Sequence, residues 1–382
     1  MNSNNTDTAI YKVLLIGGYG FFGKKLAERL ALDPLLHVML AGRDLSAAQA
    51  LADSLNQLTP PARFSALRID VQDAQLAACI EASGANAVIH TSGPFQGQGY
   101  DVARACIAAG AHYVDLADGR DFVSGITALD ASARQADVLV TSGASSVPAL
   151  SSAVVDQLAA DFRELHDIAI GISPGNRTER GLATVRAILG YCGASFLQWS
   201  DGRWQPVVGW QGLRRQRYQQ PVGNRWLANC DVPDLQLFPA RYPGVRNISF
   251  GAGLELPVLH FGVWLMAGMR RLGLVHNWSR YAAMLKRLSD LFIRFGSDAG
   301  AMHVEVTGVG ADGTQQHRRW TLIAAEGDGP YVPTLASAAL VGKLARRLID
   351  RRGACPCIGM LTLQDFSAAM QGLAITTETT AT

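Results

Sequence analysis

Charge is scarce in this sequence. Asp, Glu, Lys and Arg make up 17% of 382 residues, and the formal net charge is +2. Nucleic-acid partners demand a concentrated basic face, so none is expected. Long apolar runs are also missing. The best stretch, 254–269, is interrupted by Glu255, Pro257 and His260, and it falls short of the roughly 20 residues a spanning helix needs. The opening MNSNNTDTAIYK has no apolar core and does not read as a secretory leader; it and the tail ITTETTAT read as frayed ends. Six cysteines are present, but Cys355 and Cys357 flank a single proline, too tight for an ordinary bridge. No histidine joins them at zinc-ligand spacing. Reduced thiols, no metal and a cytoplasmic protein are the expectations. No Gly-x-Ser-x-Gly elbow occurs, which removes the serine-hydrolase reading, and neither Cys106 nor Cys192 has a recognisable activating partner.

What is present is a regular alternation of strand and helix. VLLIG at 13–17 is apolar throughout, as a strand buried on both faces of a parallel sheet requires. Residues 22–32 follow as a helix with an apolar stripe at four-residue spacing. HVMLA (37–41) gives a second strand and 46–58 an Ala- and Leu-rich helix. Pro60 and Pro61 break the chain before a third strand ending at Ile69 and Asp70. AVIHT, HYVDL and VLVT supply three more. Such alternation predicts an α/β fold with a doubly wound parallel sheet of Rossmann type over 1–147. Composition then shifts: all seven tryptophans lie beyond residue 195, among clustered arginines. A second α/β (α+β) domain is expected over 148–334, with a strand at 167–173 and a hairpin, 303–309 and 319–325, about an Asp-Gly turn. Helices over 335–382 are expected to pack back on the first domain, ahead of the frayed tail.

Gly18-Tyr19-Gly20-Phe21-Phe22-Gly23 follows the first strand and opens the first helix. Gly18 suits a tight turn, Gly20 lets backbone approach a pyrophosphate, and Gly23 lets helix and strand pack closely. The N–H groups at the helix start then face an anion, with the helix dipole adding attraction. Arg43 lies 20 residues beyond Gly23, where the ribose reader of such sites stands. A guanidinium there pairs with a 2′-phosphate, which favours NADP; Asp44, turned inward, would serve NAD instead. For Asp70, contact with the adenine and capping of the next helix both stay open.

Beyond the cradle, Ser92 is followed by Gly93-Pro94-Phe95, Gly97 and Gly99, then VARACIAAGAHYVDLAD. This pattern resembles the saccharopine-dehydrogenase-like oxidoreductases, and GASSVPALSSAVVD, GVGADG and GACPCIGMLTL are similar to later parts of that family. The resemblance implies an NAD(P)-binding domain and a second domain closing over the nicotinamide. It assigns Gly18, Gly20, Gly23, Arg43 and Gly93, Pro94 and Phe95 to the cofactor. Tyr113-Val114-Asp115 matches the motif at the fifth strand. Many relatives carry Gly-Glu shortly after it, where this chain has Asp118-Gly119-Arg120, so no amino-acid substrate is carried over.

In open α/β sheets the active site lies outside the carboxyl ends of the strands. That places Ser92 to Phe95, Asp115 to Arg120 and residues 142–148 at the site. The candidates for chemistry are Asp115 and Asp118, as proton donors or amine holders if burial raises their pKa, and Ser145. Ser145 and Ser146 precede Pro148, so helix capping and hydroxyl donation to a carbonyl both stay open. The Trp- and Arg-rich stretch around 204–226 reads as domain core with solvated arginines, or as a pocket for a large or acidic substrate. Residues 254–269 with Arg270 and Arg271 could lie on a membrane surface. The expected activity is NADP-dependent hydride transfer to a small-molecule carbonyl, imine or activated double bond. The rival is a non-catalytic NADP(H)-binding protein acting through a partner or membrane. Peripheral membrane contact and a homodimer are left open.

Overall fold

A computed structural model describes residues 10–58, 63–178 and 181–381. The Pro60-Pro61 break and the first nine residues lie outside them. The first six strands are β1 (Tyr11–Ile16), β2 (Leu36–Gly42), β3 (Arg63–Arg68), β4 (Ala87–His90), β5 (His112–Asp115) and β6 (Leu139–Ser142). The second group is β7 (Phe162–Ser173), β8 (Ser195–Ser200), β9 (Arg203–Val208), β10 (Arg214–Arg217), β11 (Asn224–Asn229), β12 (Asn247–Ala252), β13 (Gly300–Gly310) and β14 (Gln315–Ala324). Two more close the chain: β15 (Gly353–Pro356) and β16 (Ile375–Ala381).

Strands β1 to β6 and β15 form one parallel sheet in the order β15-β6-β5-β4-β1-β2-β3. The order reverses direction between β1 and β4, and ligands of such sheets bind at that switch point. Val13, Leu14, Leu15 and Ile16 are all buried because helices cover both faces. The second sheet runs β10-β11-β12-β7-β13-β14-β16 and is antiparallel except for β12 beside β7. Strands β8 and β9 make a separate hairpin. The architecture is therefore α/β, a Rossmann sheet joined to a second mixed-sheet layer.

The β13–β14 hairpin turns where Asp312 and Gly313 stand, with Asp312 Oδ1 accepting from the Thr314 N–H. The C-terminal part differs from expectation at two points. Helix Val332–Ala345 packs on the first helix, and the chain then adds a seventh strand, β15, to the first sheet. The tail is not frayed over 375–381: β16 pairs with β14 from Arg318↔Ala381 to Ala324↔Ile375. Its threonines are polar because the strand is a solvated edge, and β-branched because it is a strand.

Candidate cofactor cleft and active site

The chain leaves β1 through Gly17, whose φ is +80°, and its N–H bonds back to the Ala41 carbonyl at 2.8 Å. The left-handed residue of the turn is thus Gly17, one position before the glycine the motif suggested. Gly18 is favoured by crowding: a Cβ there would stand 3.0 Å from Leu40 Cδ2 and from the Leu15 carbonyl oxygen, and both would have to give way. At Gly23 a Cβ would lie 2.1 Å from the Gly17 carbonyl oxygen, so only glycine lets the first helix (Phe21–Leu30) meet the turn. Gly20 caps that helix and no side chain hydrogen-bonds to its free N–H groups. An uncapped helix start behind a glycine turn fits a pyrophosphate.

This turn opens into a cleft of about 560 Å³ whose walls include Tyr19, Gly20, Phe21, Phe22, Arg43, Asp70, Ser92, Gly93, Pro94, Phe95 and Asp118. Gly18 and Gly23 shape the turn from behind. Arg43 is exposed at the lip and makes no hydrogen bond or ion pair with the described residues. Asp44 is committed elsewhere. Its Oδ1 accepts from Ser46 Oγ at 2.7 Å and the Ala47 N–H at 3.0 Å, closing the start of helix Leu45–Leu58, and those bonds hold its carboxyl low. Tyr19 lies against Gly42, its hydroxyl accepting from the Asp44 N–H at 3.0 Å. Asp70 is not the cap of the next helix, which begins at Leu76. It accepts from the Gln72 N–H at 3.1 Å and faces the cleft.

Sequence reasoning missed several wall residues. Thr91 donates to the Ile16 and Gly17 carbonyls at 2.9 and 3.1 Å and pins the glycine turn to β4. Gly181, Leu182 and Thr184 come from the start of helix Leu182–Tyr191, on the second domain. Only tertiary folding brings them there, and no local signal marks them.

Asp115 and Asp118 have different fates. Asp115 is fully buried and lines neither the cleft nor the pocket beyond it. Its Oδ1 accepts from the Ala117 and Gly143 N–H groups and from Ser142 Oγ, at 2.8 to 2.9 Å, tying the end of β5 to the loop after β6. Burial pushes it up to about 6 despite those bonds. Its place is structural, because nothing in the cleft reaches it. Asp118 stands at the junction of the cleft and a second pocket, accepting from Gln96 Nε2 at 3.1 Å. Its surface is wetted from the cleft, while protein packed around its other sides raises its carboxyl through desolvation.

The second pocket, about 320 Å³, lies between the domains and shares Phe21, Phe22, Leu116, Asp118, Gly181 and Thr184 with the cleft. Ser145 and Ser146 are on its wall. Ser145 makes no side-chain capping bond to the turn that follows, so its hydroxyl is not spent as a cap.

The Trp- and Arg-rich region does not join this site. Trp210 is buried core, buried Arg225 pairs with half-buried Glu255 at 3.1 Å, and Arg214 bonds to Asn229 and the Phe250 carbonyl. Arg215, Arg217 and Arg319 line a separate groove that shares no residue with the cleft. Among the described residues, no three His, Cys, Asp or Glu side chains gather as metal ligands would, and no helix is long and apolar enough to cross a membrane.

Residues 13–161 match the family described as the saccharopine dehydrogenase NADP binding domain. The fold aligns with the apo form of saccharopine dehydrogenase (L-Glu forming) from Saccharomyces cerevisiae, over 97% of this chain and 100% of that one, with 15% identity and a TM-score of 0.69. An amine dehydrogenase from Mycobacterium smegmatis aligns over 91% of this chain and 94% of its own, with 9% identity and a TM-score of 0.45, too weak to argue from. No curated protein matches the sequence. The yeast enzyme shares the fold, and the matched family is that of a dehydrogenase's cofactor domain. The likeness to the saccharopine dehydrogenase NADP-binding family is thus carried by residues 13–161, which hold the glycine turn and the walls of the cleft from β1 to β6.

Proposed function

We propose that the chain is an NADP-dependent oxidoreductase that transfers hydride to a carbonyl, imine or activated double bond. One observation carries the reading: an uncapped helix start opens into a cleft whose lip bears an unpaired guanidinium, Arg43, while the neighbouring acid, Asp44, is spent as a helix cap. NAD sites place a carboxylate where the ribose hydroxyls bind. Here that place offers a cation instead, which suits a 2′-phosphate.

NADPH, when bound, supplies two electrons and a proton as hydride to the substrate carbon and becomes NADP+. The chain's own part is orientation and a proton. Phe21 and Phe22 line both cleft and pocket and give their junction an apolar wall. On this reading Asp118, raised by the protein packed on its inner sides and steadied by Gln96, gives a proton to the substrate oxygen or nitrogen as the new C–H bond forms. Arg43→Ala is expected to weaken NADPH binding about 10- to 100-fold, the worth of a charge-assisted pair, and to leave NADH within about twofold. Fluorescence titration with both nucleotides reads this. Unchanged NADPH affinity would remove the 2′-phosphate assignment.

A second reading is favoured by the segment 257–295. It carries Arg270, Arg271, Arg280, Lys286, Arg287 and Arg294 against a single acid, Asp290, and exposes Trp264, Leu265, Leu272, Leu274, Leu291 and Phe295. Apolar side chains beside excess positive charge suit an anionic bilayer surface. On this reading the nucleotide serves a membrane-bound chain, catalytic or not. Co-sedimentation with phosphatidylglycerol vesicles, reversed by salt and absent with phosphatidylcholine, is the expected outcome. Failure to pellet with either vesicle would end it.

A further inference from the structure

The loop that leaves β6 is fixed from two sides. Asp115 Oδ1 accepts from Ser142 Oγ and the Gly143 N–H, and the Asp115 carbonyl accepts from the Ala144 N–H at 2.8 Å. From the other side Ser337, on helix Val332–Ala345, donates to the Ala144 carbonyl at 2.8 Å. All of these residues are buried.

Ser145 and Ser146 come next, 6% and 8% exposed, on the wall of the pocket beyond Asp118. Neither hydroxyl has a hydrogen-bond partner among the described residues, and neither is sealed in the core as Ser173 Oγ is. Side-chain hydroxyls in residues this buried are nearly always paired. A held turn that leaves two hydroxyls open to a pocket is preorganised for a ligand.

The chain beyond them narrows the ligand's chemistry. Val147 is extended, with φ −130° and ψ 131°, so the helical run starts at Pro148 and continues through Ser151–Ala159. Its first turn carries no acidic side chain; the neighbouring Asp234 bonds to Ser151 Oγ and does not line the pocket. A helix start behind two hydroxyl donors favours an acceptor oxygen. An ammonium group would seek Asp118 instead, in the same walls. Ile172, Met302, Leu322 and Val332 give the pocket its apolar side.

We propose that Ser145 and Ser146 bind the substrate by an sp2 oxygen, of a carbonyl or a carboxylate, while the apolar side covers the rest of the molecule. The role as substrate site rests on the oxidoreductase reading, but binding is measured without turnover.

Ligand-detected NMR titrations of the full-length protein with benzamide, benzoate, benzylamine and cumene, each with and without saturating NADP+, separate the cases. These probes are alike in shape and differ in the group they present. Benzamide or benzoate should bind at least about tenfold tighter than benzylamine, and the better of the two tells a carbonyl from a carboxylate. Replacing both serines, Ser145→Ala with Ser146→Ala, should weaken that probe about 10- to 100-fold, the worth of two hydrogen bonds. Cumene and NADP+ should stay within about twofold of the parent. An equal loss for cumene would show a packing role and overturn the proposal. So would tightest binding by benzylamine, oxygen probes that bind the double variant as well as the parent, or no binding by any probe. If benzamide or benzoate binds through the serines and NADP+ does not bind, the cofactor reading fails and the serine site stands.

Discussion

Asp234 shows how a single buried carboxyl ties this fold to pH. It is fully buried where helix Asp234–Arg241 begins, Ser151 Oγ donates to its Oδ1, and Oδ2 has no partner among the described residues. Burial pushes it up to about 7, against about 3.9 for an unfolded aspartate. The folded state therefore binds the proton more tightly. Its contribution to stability is whole below about pH 4 and is lost as pH rises through about 7. Asp234→Asn keeps an acceptor for Ser151 and never ionises. Melting curves should show the variant gaining on the parent between pH 5 and pH 8, by a few kcal/mol at the upper end. A gap that stays constant across that range would mean the carboxyl is not desolvated. At this same scale, glycines were the most legible residues and serines the least. The crowding at Gly18 and Gly23 follows from the spacing alone. The positive φ fell on Gly17, because the turn bonds back to Ala41 on the neighbouring strand, which no spacing reveals.

Among the elements, β1 and β2 and the strands beside them could be read from sequence because burial on both faces leaves a run of apolar residues. The hairpin β13–β14 could be read from its turn chemistry. Strand β15 could not: Gly353-Ala354-Cys355-Pro356 is four residues long and is held by pairing with β6, a partner more than 200 residues away. The start of helix Leu182–Tyr191, which walls the cleft, escaped for the same non-local reason. Strand β16 was hidden by polarity. An edge strand with a solvated face has no apolar alternation, and only its β-branched threonines mark it. Removal of residues 375–382 would strip seven register pairs from β14 and the contact of Glu378 with Gln219. With cross-strand pairs worth roughly 0.2–1 kcal/mol each, the loss should be about 2–4 kcal/mol. A urea titration should find a lower midpoint, with NADPH affinity unaltered because β16 does not line the cleft. An unchanged midpoint would mean that β14 closes the sheet by itself.

For the whole molecule, the question is what keeps cofactor cleft and pocket in register, since one belongs mainly to the first domain and the other to both. Arg120 begins the short helix Arg120–Gly125, two positions after Asp118, and reaches across to the second domain. Its guanidinium donates to the Leu197 carbonyl at 2.6 Å, Asp231 Oδ1 at 3.1 Å and Gln236 Oε1 at 2.8 Å, over the face of Trp204. Arg120 is thus a clasp between domains, and it acts on the site through Asp118 by positioning. Arg120→Gln removes the clasp and leaves Asp231, already raised by burial, without its cation. Asp231 keeps 27% of its side chain exposed, so the loss should fall below the about 3–5 kcal/mol of a fully buried pair, and Asp231→Asn added to Arg120→Gln should recover part of it. The distinguishing readout sets cofactor affinity beside hydrogen exchange at the domain boundary. NADPH, gripped largely by the first domain, should bind within about twofold of the parent, whereas backbone amides of 195–200 and 234–241 should exchange about tenfold faster, an opening easier by roughly 1.4 kcal/mol. Faster exchange throughout both sheets would mean general destabilisation; unchanged exchange would mean that the packing of helix Val332–Ala345 on the first helix alone sets the alignment of the two domains.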